Sequence, residues 1–410
     1  MKLLVLSQYF WPETFLINDV VLTLVAQGHE VTVATGKPNY PDGRVFDGYT
    51  APGTQRERFL GKVDVFRVPL WPRGQAGARN LTLNYLSFVV SGVVLFPWLL
   101  RGQRFDAIVV FAPSPITQAI PAILLKWLKR APLALWVQDL WPESLSATRF
   151  IRNPQLLRAV GWAVKWIYQC CDLLLVQSRA FVEPVARYAD REKIVYYPNS
   201  ISANQTSQSE ELPPDLCDVL DAHFCVVFAG NLGTAQGLET IVQAAVCLHD
   251  LPALRLVLVG SGSRLGWLQA QKEAFRLDNL LLPGRFPMAL MPRLFERATA
   301  LLVSLNDEPV LAQTIPSKLQ AYMAAKRPII ASLNGEGARI VLEANAGLTC
   351  PAGDADALAD VIRRLHALPS DAREAMGAAG YHYYMTHFEM GAQCARLVQI
   401  LSDHKTTAQL

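Results

Sequence analysis

Cysteine is too scarce and too scattered here for a disulfide frame: there are seven in 410 residues, with Cys170 and Cys171 adjacent and no CxxC pair. An odd set without paired spacing points to reduced thiols and argues against a sulfur-bound zinc site. The seven histidines form no HExxH or comparable ligand set. Charge is also sparse, with 18% charged residues against 51% hydrophobic ones, which suits a well-packed globular chain with apolar surface to spare. No dense Lys/Arg run interleaved with aromatics occurs, so nucleic acid is not an expected partner. The opening MKLLVLSQYF is too short in its apolar part for a secretion signal and reads as a first strand. Together with the reduced thiols this gives the expectation of a cytoplasmic protein.

What is present is enough chain for two cores. A length of 410 residues suits two domains of about 200 residues each. The net charge of +3 hides an asymmetry: residues 1–200 hold 22 Lys+Arg against 14 Asp+Glu, whereas residues 201–410 hold 16 against 21. The first half is therefore basic, and an anionic lipid surface or an ordinary solvated face both fit that excess.

Leu3 to Leu6 read as a strand, the loop YFWPETF leads to a helix through Asn18, Val21, Leu24 and Val25, and HEVTVATG is a second strand after the stop signal Gly28. This is a βαβ opening, and parallel strands of that kind hold ligands at their carboxyl ends. Residues 37–62, rich in Gly, Pro, Asp and Tyr, read as an irregular excursion. The strands VDVFRVPL, FDAIVVFAP, LALWVQD, DLLLVQS and KIVYYPN follow, so residues 1–200 form a doubly wound α/β domain. Residues 201–222, polar and proline-bearing, read as a linker. The alternation restarts with FCVVFAG, LRLVLVGSGS, NLLLPGRF, ALLVSL, RPIIAS and GLTCPAG, giving a second α/β domain over 223–385, and the chain from Ala355 onward reads as wholly helical. Its last part, 386–410, is expected to return to the first domain, and two such domains suggest a cleft between them.

Leu81 to Leu100, LTLNYLSFVVSGVVLFPWLL, carries no charge in twenty residues and lies between Arg79 and Arg101. A bilayer span, a helix lying in the membrane interface and a buried core helix all fit its length. A span would put two parts of one sheet on opposite sides of the membrane, so topology argues against crossing. Pro97 should kink or end the helix.

Residues 224–239, FCVVFAGNLGTAQGLE, read as strand, glycine-rich loop and helix. Gly230, Gly233 and Gly237 would let the backbone approach a ligand, and the helix start would offer N–H groups to an anion such as a diphosphate; plain packing is the alternative. In TIPSKLQAYMAAKRPIIAS, Pro316 opens a helix whose first turn holds Ser317, Lys318 and Gln320. A lysine there opposes the helix dipole, which makes sense where an anion sits between them; a solvent-facing lysine is the alternative.

These motifs carry a resemblance. GNLGTAQGLE, LVGSGSR, PGRFP, IPSKLQAYMAAKRPIIASLNGEG and AGDADALA, with QYFWPE, GHEVTVATGKPNYP and QDLWPES in the first half, resemble glycosyltransferase family 4, nearest its bacterial colanic-acid and O-antigen branch. The resemblance runs over nearly the whole chain. It implies a GT-B fold of two Rossmann-like domains facing across a cleft, and retaining, metal-independent transfer from a nucleotide-diphosphate sugar (UDP or GDP type) held by the C-terminal domain. The acceptor, a lipid-linked saccharide of surface polysaccharide synthesis, would lie on the N-terminal domain. No cofactor is implied, and the place of action would be cytoplasmic, peripheral on the inner face of the plasma membrane, with a surface contact through 81–100.

Carried over residue by residue, the resemblance places the donor at Gly230, Asn231, Gly233, Gly237, Ser317 and Lys318, with the base against Gly284, Arg285 and Phe286 and the sugar near Glu336. The chain departs from the family pattern at Gln320 and Ala312, which stand where an E-x7-E pair is usual; Glu308 is out of register. Asn231 and Gln236 replace basic residues usual around the glycine loop, which leaves Lys318 with more of the phosphate charge. In the first domain Asp139 and Glu143 are placed at the acceptor as catalytic candidates, with helix capping by Asp139 as the alternative, and Glu13 and Asn18 in the loop after the first strand. Asp354 and Asp356 spell DxD, but helix capping explains them better than a metal. A non-hydrolysing sugar-nucleotide epimerase and a non-catalytic membrane-associated subunit of a polysaccharide assembly complex are the rival classes.

Overall fold

The computed structural model describes residues 1–74, 78–147, 153–202 and 211–407 and resolves two compact units, Met1–Asn199 with Met390–Leu410, and Ser200–Glu389. The first unit is built on eight strands: β1 (Lys2–Leu6), β2 (Glu30–Gly36), β3 (Gln55–Phe59), β4 (Val63–Val68), β5 (Ala107–Ala112), β6 (Leu133–Val137), β7 (Leu173–Val176) and β8 (Ile194–Tyr196). They lie in the order β3-β4-β2-β1-β5-β6-β7-β8, parallel except for β3. Strands such as AIVVFA and LALWV are apolar throughout because helices cover both faces of a parallel sheet. On one face Ile17, Val21 and Leu24 pack with Met390, Cys394, Leu397 and Leu401; on the other, Phe88, Phe96, Ile123, Val164 and Ile167 close the core.

The final helix, Met390–Thr407, is thus part of the first unit's core, fixed further by Tyr197 Oη donating to the Gln393 carbonyl at 2.9 Å and by the Lys405–Asp106 ion pair at 2.6 Å. The stretch 37–62 is less irregular than its composition suggests. It contains β3, whose QRERF pairs antiparallel with β4, and buried Arg67 on β4 donates to Glu57 of β3, to the Gly36 carbonyl and to the Trp11 carbonyl. Partners drawn from three separate segments satisfy a charge that could not otherwise be buried.

The second unit carries β9 (Phe224–Asn231), β10 (Leu254–Ser261), β11 (Leu280–Gly284), β12 (Ala300–Ser304), β13 (Ile329–Ser332) and β14 (Gly347–Cys350), all parallel in the order β11-β10-β9-β12-β13-β14. The order reverses between β9 and β12, the place where an open α/β sheet leaves a crevice at its carboxyl edge. Part of the stretch read as linker is structured: Pro214–Ala222 is a helix, entered through two prolines, with Leu212, Leu216 and Leu220 buried in this unit's core. The linker positions 203–210 lie outside the described residues.

The apolar stretch 81–100 falls in one helix, Ala78–Leu99, which passes through Pro97 and ends two residues later. Asn84, Phe88, Gly92, Phe96 and Leu100 are buried at four-residue spacing, while Leu86, Val90, Val94 and Trp98 are exposed on the opposite face. It is the one helix among the described residues long and apolar enough to cross a membrane, yet a spanning helix would have to withdraw Phe88 and Phe96 from the sheet.

Candidate functional site

At the carboxyl edge of the second sheet the backbone comes unusually close to itself. Gly260, the last but one residue of β10, has φ at +148°, and a Cβ there would stand 1.8 Å from the Gly230 carbonyl oxygen. Gly237 adopts φ +59° to start the helix Leu238–Cys247, and a Cβ on it would meet Ser304 Oγ at 2.6 Å. The loop between Gly230 and Gly237 is held from β12's side: Asn306 Oδ1 accepts from the Gly237 N–H at 3.0 Å and its Nδ2 donates to the Thr234 carbonyl at 2.8 Å. The glycines therefore serve close approach and a left-handed turn, as strand-loop-helix spelling suggests.

Lys318 rises into this loop from the helix Ser317–Ala324. Its Nζ donates to Gln236 Oε1 and lies 3.6 Å from the centre of the Phe228 ring, and its Cε would be 2.7 Å from a Cβ at Gly230. Tyr322, one turn on, locks the helix to β9 by accepting from the Ala229 N–H at 2.9 Å and donating to the Ala229 carbonyl at 3.3 Å. Among the described residues no carboxylate pairs with Lys318, and burial pushes its pKa down to about 7. A desolvated amine without a countercharge gains most from an anion.

Beside it, a pocket of about 280 Å³ is walled by Gly230, Asn231, Val259, Gly260, Ser261, Arg285, Phe286, Met288 and Met291. Four of the residues expected at the donor (Gly230, Asn231, Arg285 and Phe286) thus meet in one place, and Gly284, at φ +91°, makes the turn that brings Arg285 there. Val259, Gly260, Ser261, Met288 and Met291 are additions; the motif LVGSGSR was the signal for the first three.

Other expected donor residues stand differently. Gly233 lies against Asn231, whose Nδ2 would be 2.7 Å from a Cβ there, and Ser317 is exposed at the helix start. Gln320 is buried, as is Glu336, whose two oxygens are both held by Arg339 at 2.8 and 3.0 Å. The Glu336 carboxylate is therefore engaged on its own helix. Ala312 packs under Gly335, and Glu308 is exposed. Asp354 caps its helix by accepting from the Ala357 N–H at 2.9 Å.

In the first unit a second cavity, of about 350 Å³, is walled by Leu81, Thr82, Tyr85, Leu86, Ser114, Thr117, Asp139, Trp141, Ser144 and Leu145. Asp139 Oδ2 accepts from Trp141 Nε1 at 3.1 Å. Burial pushes its pKa up, against hydrogen bonds from Ser144, Trp141, the Leu140 backbone and Ser114. Glu143 opens the next short helix, 3.9 Å from Arg187, with burial raising its pKa. Glu13 and Asn18 belong to the loop's own framework. Glu13 accepts from the backbone N–H groups of Phe10, Asn39 and Tyr40, and burial lifts it to about 7; Asn18 accepts from the Trp11 N–H and donates to the Glu13 carbonyl. Their polar atoms join β1's loop to β2's.

Two families match, one per unit. Residues 17–200 match the glycosyl transferase 4-like domain and residues 223–367 the glycosyl transferases group 1. The chain belongs to the glycosyltransferases. WcaI of Escherichia coli K12, named as a colanic acid biosynthesis glycosyl transferase, is 25% identical over 340 residues, covering 79% of this chain and 81% of its own length. Among solved structures, HepE of Anabaena in complex with UDP superposes with TM-score 0.70 at 15% identity, over 98% of this chain and 100% of that one. Sucrose-phosphate synthase of Thermosynechococcus elongatus does so with TM-score 0.72 at 16% identity, over 98% of each. This glycosyltransferase thus has the fold that its motifs imply, with two parallel-sheet α/β units.

Proposed function

We propose that the second unit binds a nucleotide-diphosphate sugar, with the base against Arg285 and Phe286 and the diphosphate between the Gly230–Gly237 loop and Lys318. The sugar would pass to a lipid-linked saccharide in bacterial surface polysaccharide synthesis, at the cytoplasmic face of the plasma membrane. The observation that carries this reading is Lys318: a half-buried amine with no carboxylate partner among the described residues, set against a glycine loop at the sheet's switch point. UDP in the complex of HepE and the colanic acid in WcaI's name agree with it.

In the proposed reaction an acceptor hydroxyl oxygen attacks the anomeric carbon while the bond from that carbon to the diphosphate oxygen breaks. The electron pair leaves with the diphosphate, which takes the hydroxyl proton, and attack on the leaving-group face gives retention. Lys318 and the loop N–H groups stabilise the departing charge by preorganised electrostatics, without a divalent ion. Asp139 positions the acceptor in the first unit's cavity by accepting a hydrogen bond from another of its hydroxyls.

A thermal-shift screen against UDP, GDP, CDP and ADP, without and then with Mg²⁺, tests the donor assignment. A ligand at about a hundred times its Kd stabilises the fold by roughly 2.7 kcal/mol. We expect one nucleoside diphosphate to raise the melting temperature equally with and without metal. A shift that appears only with Mg²⁺ contradicts metal independence, and no shift with any of the four contradicts the donor site.

A further inference from the structure

Three helices cover one face of the first sheet side by side: Ala78–Leu99, Ile120–Lys129 in the middle, and Pro154–Cys170. Their inward residues make the core. Their outward residues are ones that a soluble surface normally avoids. Trp162 is 80% exposed, Trp127 74% and Trp98 66%, and Leu86, Val90, Val94, Leu128, Leu156 and Trp166 are exposed with them. Singly exposed apolar side chains need no explanation, but nine on three adjacent helices form a contiguous face of the kind that marks an interaction surface.

Charge narrows the partner. None of the three helices contains an Asp or a Glu. Arg79, Arg158 and Lys165 on them, and Arg101, Arg104 and Arg130 beside their ends, are exposed, and none of the six forms an ion pair among the described residues. Asp172, just past the third helix, is already paired with Lys126 of the middle one; tryptophan and aliphatic side chains interleaved with unpaired cations, on helices that carry no acid, suit the boundary between acyl chains and anionic headgroups. A protein partner of ordinary composition would have to meet an unrelieved positive, apolar plane.

We infer that this three-helix face seats the protein on an anionic phospholipid surface as a peripheral contact, with Trp98, Trp127, Trp162 and Trp166 entering the interface and the arginines and Lys165 meeting phosphates. The face has a functional consequence. Leu86 belongs both to the exposed stripe and to the wall of the cavity that holds Asp139, so a lipid-borne acceptor can pass from the bilayer to that cavity along one helix. The contact itself does not depend on sugar transfer, and its test reads membrane association alone.

The test is flotation of the full-length chain with vesicles of phosphatidylcholine alone or with about one-third phosphatidylglycerol, at low and high salt. The wild type floats with the anionic vesicles and is released by salt in part. Arg158→Ala with Lys165→Ala weakens partitioning roughly fivefold for each cation lost, and Trp98→Ser with Trp162→Ser weakens it about tenfold or more. Both variants keep the wild-type melting temperature and nucleotide-induced shift, since these side chains lie outside the cores and both pockets. Equal flotation of wild type and both variants overturns the inference, as does no flotation of the folded wild type. A wild-type dimer that the tryptophan variant converts to monomer would instead assign the face to a second copy of the chain. Resistance to alkaline extraction from membranes would assign the apolar helix to a span.

Discussion

Replacing Lys318 with alanine is expected to lower kcat/KM by about 10²–10³, or roughly 2.7–4 kcal/mol of transition-state stabilisation, with retained folding. The helix Ser317–Ala324 aims the amine at the glycine loop, Tyr322 fixes that helix to β9, and no carboxylate among the described residues neutralises the charge. A group placed for fold stability would be expected to stabilise when protonated, and this one does the reverse. Its folded pKa of about 7 lies below a lysine's ordinary 10.5, so the unfolded chain binds more protons between those values. Stability therefore rises with pH across that window and is lost below it. Lys318→Met removes that slope. It should melt no lower than the wild type at neutral pH while losing turnover, and a large fall in melting temperature would mean that Lys318 is structural.

Asp139→Asn is expected to cut kcat/KM for the acceptor by about 10²-fold while leaving the nucleotide-induced thermal shift intact. Asp139 is held by Trp141, Ser144, Ser114 and the Leu140 backbone in a cavity with an apolar wall of Leu81, Leu86 and Leu145. Those contacts fix the carboxyl group, and the amide keeps its size while exchanging one acceptor oxygen for a donor. Steady-state kinetics with acceptor varied at saturating donor checks the split. An unchanged acceptor kcat/KM would leave Asp139 as the cap of its loop, which its local hydrogen bonds also describe. Glu143→Gln, beside Arg187, provides the comparison.

The sequence made the sheets legible because parallel strands buried on both faces are continuous apolar runs, and AIVVFA or LRLVLVGS admit little else. It missed β3 because QRERF reads as a charged loop until Arg67 is seen to bury its charge among Glu57, Gly36 and Trp11. It read 201–222 by polarity and so passed over the spacing of Leu212, Leu216 and Leu220, which makes Pro214–Ala222 a core helix. The two faces of the helix from Leu81 to Leu99 were indistinguishable, since neither carries charge there; only packing separates Phe88 and Phe96 from Val90 and Val94. At the candidate site, Gly230, Asn231, Arg285, Phe286 and Lys318 were legible because glycine spacing and an oddly placed cation leave a trace in the chain. The partners of Glu13 and Glu336, three backbone N–H groups for the one and Arg339 for the other, were not legible, because a carboxylate's partners are not written beside it.

The central claim is that a desolvated Lys318 binds the donor diphosphate as a cation. The most direct measurement is the Kd of the wild type and of Lys318→Met for the nucleotide sugar whose base the thermal-shift screen selects, from about pH 6 to about pH 9. In a nucleotide sugar both diphosphate charges are constant over that range, so any change belongs to the protein. The anion raises the pKa of Lys318 in the complex, so binding takes up a proton above its free pKa of about 7. The account predicts wild-type affinity that is level below that pH and weakens by up to about tenfold per pH unit above it, with proton uptake seen calorimetrically, and weak, pH-independent binding by Lys318→Met. A wild-type Kd that does not change across the range, or a Lys318→Met variant that follows the wild-type curve, would contradict it.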